Sequence, residues 1–220
     1  MWTRATRRDH SRPGLRYQSD VTDAEWNLIE PFLPVSPIDA RPHKWPMREL
    51  LNGIFYVLRG GVPWRQMPKD LPPWQTVYRW FSTFRDTGLF ETINHGLVMV
   101  GRELYGREAS PTAGVIDSQS VKTTESGGPR GYDAGGYAGD KLRDALAKLG
   151  DLTIELIKRS DTAKGFVLLP KRWVVERTFA WLNRNRRLAK DVEATIKSAA
   201  AFLFAASVML MIRRIARLLA

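Results

Sequence analysis

The sequence contains no cysteine, which excludes disulfides, thiolate metal ligands and cysteine nucleophiles. It also lacks an apolar run of the roughly 20 residues that a membrane-spanning helix requires, since the longest one covers only residues 199–212. We therefore expect a buried C-terminal helix and no membrane partner. The first residues, "MWTRATRRDHSRPGLR", are rich in arginine and lack the apolar core of a secretory signal. These features fit a protein of a reducing cytoplasm.

Acidic residues are too few to balance the basic ones. The chain has 34 Lys and Arg against 23 Asp and Glu, a net charge of +11 and a pI of about 10.2. A folded protein this basic attracts polyanions, and nucleic acid is the commonest of them. A generally basic, soluble surface is the alternative. Eight tryptophans and a 44% hydrophobic content indicate a packed core rather than a disordered chain.

The first half of the sequence has the periodicity of helices. Residues 1–19 form a predicted flexible basic arm, and residues 20–108 a predicted all-helical domain. Thr22 and Glu25 have the spacing of a capping box at the start of the first helix. Three further segments continue the pattern, and Gly60-Gly61 provides a stop after the first of them: "MRELLNGIFYVLRGG", "QTVYRWFSTFRDTG" and "LFETINHGLVMVGRELYG".

The third predicted helix has two different faces. One is apolar and predicts core contact: Val77, Trp80, Phe81 and Phe84. The opposite face is polar: Gln75, Arg79, Ser82 and Arg85. Two helices joined by a compact loop, the second with a polar face, suit a helix-turn-helix DNA reader. An ordinary helical bundle with a solvated face explains the pattern equally well, and both interpretations stay open.

The second half, residues 110–220, alternates predicted strands with helices, which is typical of an α+β or α/β domain. "PTAGVID" and "DLTIELIKRS" read as strands, and a strong helix begins near Arg172 with a predicted buried stripe of Val175, Thr178, Phe179 and Leu182. Glu176 lies on a flank of this basic helix. It can form a helix ion pair with Arg172, worth about 0.3–0.5 kcal/mol when exposed, or it can be a metal ligand.

Asp117 favours the second interpretation because it ends a short apolar strand, a common position for active-site residues. Transfer of a phosphodiester needs carboxylates that hold two Mg²⁺ ions, one to activate the nucleophile and one to stabilise the leaving oxygen. Asp117 and Glu176 could supply two of those ligands, with a third acidic residue from a neighbouring strand.

Five blocks in the same order resemble the transposases of bacterial insertion sequences of the DDE class: "YQSDVTDAEWNLIEPFLP", "LNGIFYVLRGGVPWRQMP", "VYRWFSTFRDTGLFETI", "GVIDSQSVKT" and "RWVVERTFAWLNRNRRLAKDVE". The resemblance runs from about Tyr17 to the C-terminus. It implies an N-terminal helical DNA-binding domain, a catalytic core like that of RNase H, and cleavage and strand transfer at element ends with Mg²⁺ or Mn²⁺. Asp117 would be the first catalytic carboxylate and metal ligand, and Glu176 the last.

The resemblance also implies partners and a location. The expected partner is double-stranded DNA, at the element ends and at the target, with a homodimer on DNA as a candidate assembly, in the nucleoid of a bacterial cytoplasm. The candidate DNA-binding residues are basic side chains of the helical face and of the two catalytic blocks: Arg79, Arg85, Lys122, Arg172, Arg177, Arg184 and Arg187. Asn183 stands seven residues after Glu176, where such enzymes often have lysine.

The middle Asp of the family is missing from its expected place. It belongs in a block resembling "ADGGYAGDKL", but Ala134 precedes Gly135 here and Asp133 lies one position too early. The segment between Asp117 and Gly135 has neither strand nor helix periodicity, and it is too short to hold the strands that should intervene. We infer a truncated RNase H-like domain, with the central strands deleted around residues 133–135 and Asp133 a weak stand-in.

Other interpretations of this glycine-rich segment are weaker. No Gly-Lys-Ser/Thr follows, so it is not a P-loop, and an interdomain linker inside the second half makes little topological sense. For the whole chain, a DNA-binding protein without catalysis that competes with intact copies is the main alternative. An unrelated basic regulator would leave the Asp117 and Glu176 blocks unexplained.

Overall fold

Helices form the framework of the computed structural model, which describes residues 3–4, 11–34, 44–111, 172–190 and 192–220. The helices in these ranges are α1 (Asp23–Ile29), α2 (Met47–Gly60), α3 (Trp74–Asp86), α4 (Leu89–Leu104), α5 (Arg172–Leu182) and α6 (Ile196–Leu219). Short 3₁₀ turns cover Glu30–Phe32, Trp64–Gln66 and Arg186–Leu188. The described ranges contain no strand. The strands predicted between residues 110 and 157 lie outside them, so the truncated RNase H-like domain stays a prediction.

The predicted helix ends are confirmed for α1 and α2. The Thr22 hydroxyl accepts the N–H of Glu25, while the Glu25 carboxylate accepts the N–H of Thr22, which completes the capping box. Helix α2 ends where Gly61 takes a left-handed φ of 66° and its N–H bonds the Val57 carbonyl. Glycine suits this position because a side chain would strain the backbone.

The predicted apolar stripes of α2 and α3 meet in one core. All five stripe residues of α2 are fully buried: Leu50, Leu51, Ile54, Phe55 and Leu58. On α3, Val77, Phe81 and Phe84 are buried, whereas Trp80 is half-buried. The sequence prediction that these aromatics serve the core is therefore confirmed.

Helix α6 completes this core, as predicted for a buried C-terminal helix. Phe202 stacks on Phe81 of α3 with ring centroids 4.4 Å apart, and Trp64 lies against both rings. By length and composition α6 is also able to cross a membrane, but half of its most apolar window is buried in the protein. Its buried apolar side chains are thus used inside the fold, among α1, α2, α3 and α4.

The predicted boundaries at residues 19, 108 and 110 stay predictions, and the structure adds two contacts across them. Helix α6 shares its core with the helices of residues 20–108. At the other end, residues 11–19 lie against the helices. Arg16 bonds the Glu49 carboxylate at 2.8 Å, and Tyr17 packs edge-on against Tyr56. Part of the predicted flexible arm of residues 1–19 therefore has contacts with the helical unit.

Candidate nucleic-acid interface

Part of the polar face of α3 is exposed to solvent, and part of it is engaged in hydrogen bonds within the protein. Gln75 and Arg79 are exposed. Arg85, by contrast, donates two hydrogen bonds to the Asp86 carboxylate, at 2.8 and 3.0 Å, and a third to the Ser198 hydroxyl of α6 at 3.1 Å. Its hydrogen bonding to Asp86 raises the pKa of Arg85 above its usual value. Arg85 thus ties α3 to α6, while Arg79 is available to a ligand.

Helix α5 presents Glu176 on an exposed flank, as the sequence predicts. The predicted buried stripe of this helix is wrong in most of its members. Phe179 is 41% exposed and Thr178 is exposed, Val175 is half-buried, and only Leu182 joins the core. The reason is that the last turn of α5 is the part that reaches the core. Helical periodicity fixes which residues share a face, but neighbouring elements decide whether that face is covered.

Arg177 on α5 is flanked by two tryptophans. Its guanidinium lies 4.8 Å from the ring centroid of Trp173 and 5.9 Å from that of Trp181. A guanidinium over an indole face keeps its charge while its orientation is restricted. Arg177 is therefore a preoriented cation on an exposed helix.

The turn that follows α5 holds three arginines in different environments. Arg184 and Arg186 are exposed. Arg187 is largely buried: it donates to the Glu193 carboxylate at 2.5 Å, and its guanidinium covers the Phe202 ring at 5.3 Å from the centroid. The structure thus gives Arg187 a role inside the fold, and it leaves Arg184 open to solvent.

Arg59 joins this turn from the last turn of α2. It donates a hydrogen bond of 2.6 Å to the main-chain carbonyl of Arg184. Burial, together with the charges of Arg184 and Arg186, lowers the pKa of Arg59 below its usual value. Like charges are therefore held close together at this point.

A second group of arginines surrounds a buried carboxylate. Arg12 forms a bidentate ion pair with Glu25, one bond of which is 2.7 Å long. Arg213 of α6 is half-buried nearby, and burial and the charge of Arg12 lower the pKa of Arg213 to about 10. Burial by itself would raise the pKa of Glu25, but bonds from Arg12 and Thr22 outweigh it and hold that pKa below its usual 4.5. Glu25 thus compensates two partly buried cations.

The predicted metal site can be checked only at Glu176. Asp117, Asp133 and Lys122 lie outside the described residues, and of Arg172 the structure describes the backbone. Within the described ranges there is no group of three or more His, Cys, Asp or Glu side chains that could hold a metal ion. The described residues by themselves do not make up a Mg²⁺ or Mn²⁺ site.

The sequence by itself predicts no binding role for Arg186, Arg59, Arg12 or Arg213. No local signal could have found them as a group, because Arg59 and Arg184 are 125 residues apart in the chain. The one hint was the position of Arg59 directly before the glycine stop of α2, where a cation is favoured by the helix dipole.

Comparison with known proteins finds two family models that match separate parts of this chain. Residues 21–94 match the family described as "Putative transposase of IS4/5 family (DUF4096)", and residues 133–211 match the family "Transposase DDE domain". The predicted resemblance to bacterial insertion-sequence transposases of the DDE class is therefore confirmed.

One relative is the "Insertion element IS402 uncharacterized 16.2 kDa protein" of Burkholderia cepacia. It is 27% identical over 113 residues, which cover 49% of this chain and 76% of that protein. No solved structure matches the chain.

Proposed function

We propose that this protein is an insertion-sequence transposase that binds the ends of its element, and that this copy is impaired in catalysis by the loss of the middle Asp. The observation that carries the proposal is the position of the second family match. It begins at residue 133, beside the inferred join at Ala134, and leaves Asp117 outside. A deletion at this point explains why the "GVIDSQSVKT" block and the "GGYAGDKL" block follow one another so closely.

Asp117 and Glu176 are the proposed remaining carboxylates of the site. A divalent metal would supply activation of a hydroxyl nucleophile and stabilisation of the leaving oxygen. The exposure of Glu176 on α5 agrees with access to DNA. Asp133 stays the weak candidate for the third carboxylate.

DNA binding is proposed for the side chains of Arg79, Arg177 and Arg184. These three candidates are exposed, whereas Arg85 and Arg187 are engaged in the fold. The second candidate function is DNA binding without any catalysis, so that the protein occupies element ends in competition with intact copies. The same truncation favours this alternative.

A cleavage assay on a duplex with the terminal repeats that flank the coding sequence distinguishes these functions. We expect retention of the duplex in a gel-shift experiment, with little or no Mg²⁺-dependent strand cleavage. Robust cleavage by the parent protein that is abolished in Asp133→Asn would show that Asp133 replaces the missing residue. This result would overturn the proposal that this copy is impaired in catalysis. Absence of any DNA binding would overturn the transposase proposal as a whole. Glu176→Gln serves as the control for contaminating nuclease, since it must abolish genuine activity and leave binding intact.

A further inference from the structure

We propose that Arg59, Arg184 and Arg186 form one composite contact for the phosphate backbone of double-stranded DNA, here called the arginine junction. It deepens the proposed function, on which it rests, by naming a surface that joins the helical unit to the segment after α5. Neither Arg59 nor Arg186 is among the DNA-binding residues predicted from the sequence.

The junction is held together by main-chain contacts. Arg59 is anchored on the Arg184 carbonyl by the 2.6 Å hydrogen bond. Next to it, a Cβ placed on Gly61 would lie 2.9 Å from the Arg186 Cβ and 3.2 Å from the Arg187 main-chain nitrogen. The end of α2 and the Arg186–Leu188 turn are therefore in van der Waals contact, which holds together the two segments of main chain that carry the three arginines.

The junction concentrates positive charge without a described counter-ion. Among the described residues, no ion pair links Arg59, Arg184 or Arg186 to a carboxylate, whereas Arg12, Arg16, Arg48, Arg85 and Arg187 each have one. The C-terminal dipole of α2 favours one cation at Arg59, but it does not account for three. Burial is the main reason that the pKa of Arg59 is lowered, and the charges of Arg184 and Arg186 lower it further by repulsion.

A phosphodiester backbone fits this arrangement chemically. Guanidinium groups form paired, planar hydrogen bonds with phosphate oxygens, and duplex DNA presents phosphates at regular spacing. Arg184 and Arg186 are exposed and can reach such a ligand, while half-buried Arg59 supports them from below. Neutralisation by phosphate would relieve the repulsion within the junction.

The test measures the salt dependence of binding by the full chain to a duplex of about 25 base pairs carrying the terminal repeat. The logarithm of the binding constant falls linearly with the logarithm of the salt concentration, and each lost phosphate contact makes this negative slope shallower by about 0.9. The slope of the double variant Arg184→Gln/Arg186→Gln should therefore be shallower by about 1.8. Between 50 and 200 mM salt, the affinity of this variant should then fall by a factor about 12-fold smaller than the affinity of the parent protein.

Arg48→Gln is the matched control. It removes one charge, as each of the single variants Arg184→Gln and Arg186→Gln does, from the other end of α2, about 17 Å from Arg59 at 1.5 Å per residue, and should leave the slope unchanged. The double variant keeps the Arg59 bond because its acceptor is a main-chain carbonyl. Its melting temperature without DNA should equal or exceed that of the parent. If it is lower, the single variants provide the measurement, each with an expected slope loss of about 0.9.

Three outcomes overturn the inference, and they are distinguishable. An unchanged slope in the double variant, with normal DNA binding by the parent, refutes the arginine junction and leaves the proposed function intact. A slope loss in Arg48→Gln equal to that of the single variants Arg184→Gln and Arg186→Gln shows that overall charge alone acts. Absence of binding by the parent protein refutes the junction and the proposed function together.

Discussion

Glu25 performs two structural tasks in this protein. It closes the capping box of α1, and it is the buried counter-ion of Arg12 with Arg213 close by. Capping is local and was predicted from the spacing of Thr22 and Glu25. The ion pair is not local, because Arg12 precedes the helix by many residues and was assigned to a flexible arm. The sequence thus predicts the capping role of Glu25 but not its ion pair with Arg12.

Glu25→Gln should lower the free energy of unfolding by about 3 kcal/mol, because it leaves buried Arg12 without its counter-ion. For a chain of this size that corresponds to roughly 6–12 °C in melting temperature. Asp23→Asn is the control on the same helix. It removes an exposed ion pair with Arg48 and should cost less than about 1 kcal/mol. Equal losses in chemical denaturation would show that the Arg12–Glu25 pair is not buried in solution.

The same carboxylate predicts an acid dependence. Because the pKa of Glu25 in the folded chain lies below its usual 4.5, its stabilising contribution is complete above that value. It is then lost as the pH falls through the folded-state pKa. The difference in unfolding free energy between parent and Glu25→Gln should therefore shrink below about pH 4.5. A difference that stays constant down to pH 3 would contradict the assignment.

At the scale of single elements, the stability of each helix depends on how it ends and on which elements it packs against. The end of α2 is set by Gly61, which adopts a positive φ and also touches the Arg186–Leu188 turn. The middle of α6 is set by Phe202, which stacks on Phe81. For each of these residues the chain offers a comparison residue that lacks the tertiary contact: Gly88 for Gly61, and Leu203 for Phe202.

Gly61→Ala should cost more than Gly88→Ala. The two glycines have φ values of 66° and 68°, so the backbone strain of alanine, about 1 kcal/mol, is common to both. An added Cβ meets no atom within 4 Å at Gly88, but at Gly61 it meets Arg186 at 2.9 Å. We expect an additional 1–3 kcal/mol at Gly61, an approximate range typical of overpacking, from urea unfolding of both variants. Equal costs would mean that α2 and the turn do not touch.

Phe202→Ala should cost about 3–5 kcal/mol, the usual range for truncation of a buried aromatic side chain. Its neighbour Leu203 is 44% exposed, and Leu203→Ala should change stability by about 0.5 kcal/mol or less. Thermal melts of both variants test whether α6 is a core helix. A larger loss at Leu203 than at Phe202 would place the other face of α6 against its neighbours.

At the scale of the whole molecule, the C-terminal helix makes the N-terminal helical unit dependent on residues beyond 190. Phe202, Val208 and Ile212 are fully buried among side chains of residues 20–108. Their removal would expose much of that apolar surface. The helical unit is therefore expected to need α6 for its stability.

A fragment that ends at residue 111 should show no cooperative thermal unfolding, whereas the full chain should. Co-expression with residues 192–220 should restore a cooperative transition, because it returns the missing side of the core. Circular dichroism and tryptophan fluorescence provide the measurements. A sharp transition of the fragment alone, coincident in both signals, would show that residues 20–108 form an independent domain.

Sequence alone determined the helices, because capping, glycine stops and 3.6-residue periodicity act over a few residues. It thereby located α1 to α4, the apolar stripe of α2 and the buried character of α6, and the order of its blocks determined the transposase resemblance. The tertiary structure decided which polar residues are free to bind. Arg85 and Arg187 were bound within the fold, Arg59 was brought to Arg184, and the predicted buried stripe of α5 was left largely exposed. The reason is physical: burial and ion pairing depend on neighbours distant in the chain, which local spacing does not specify.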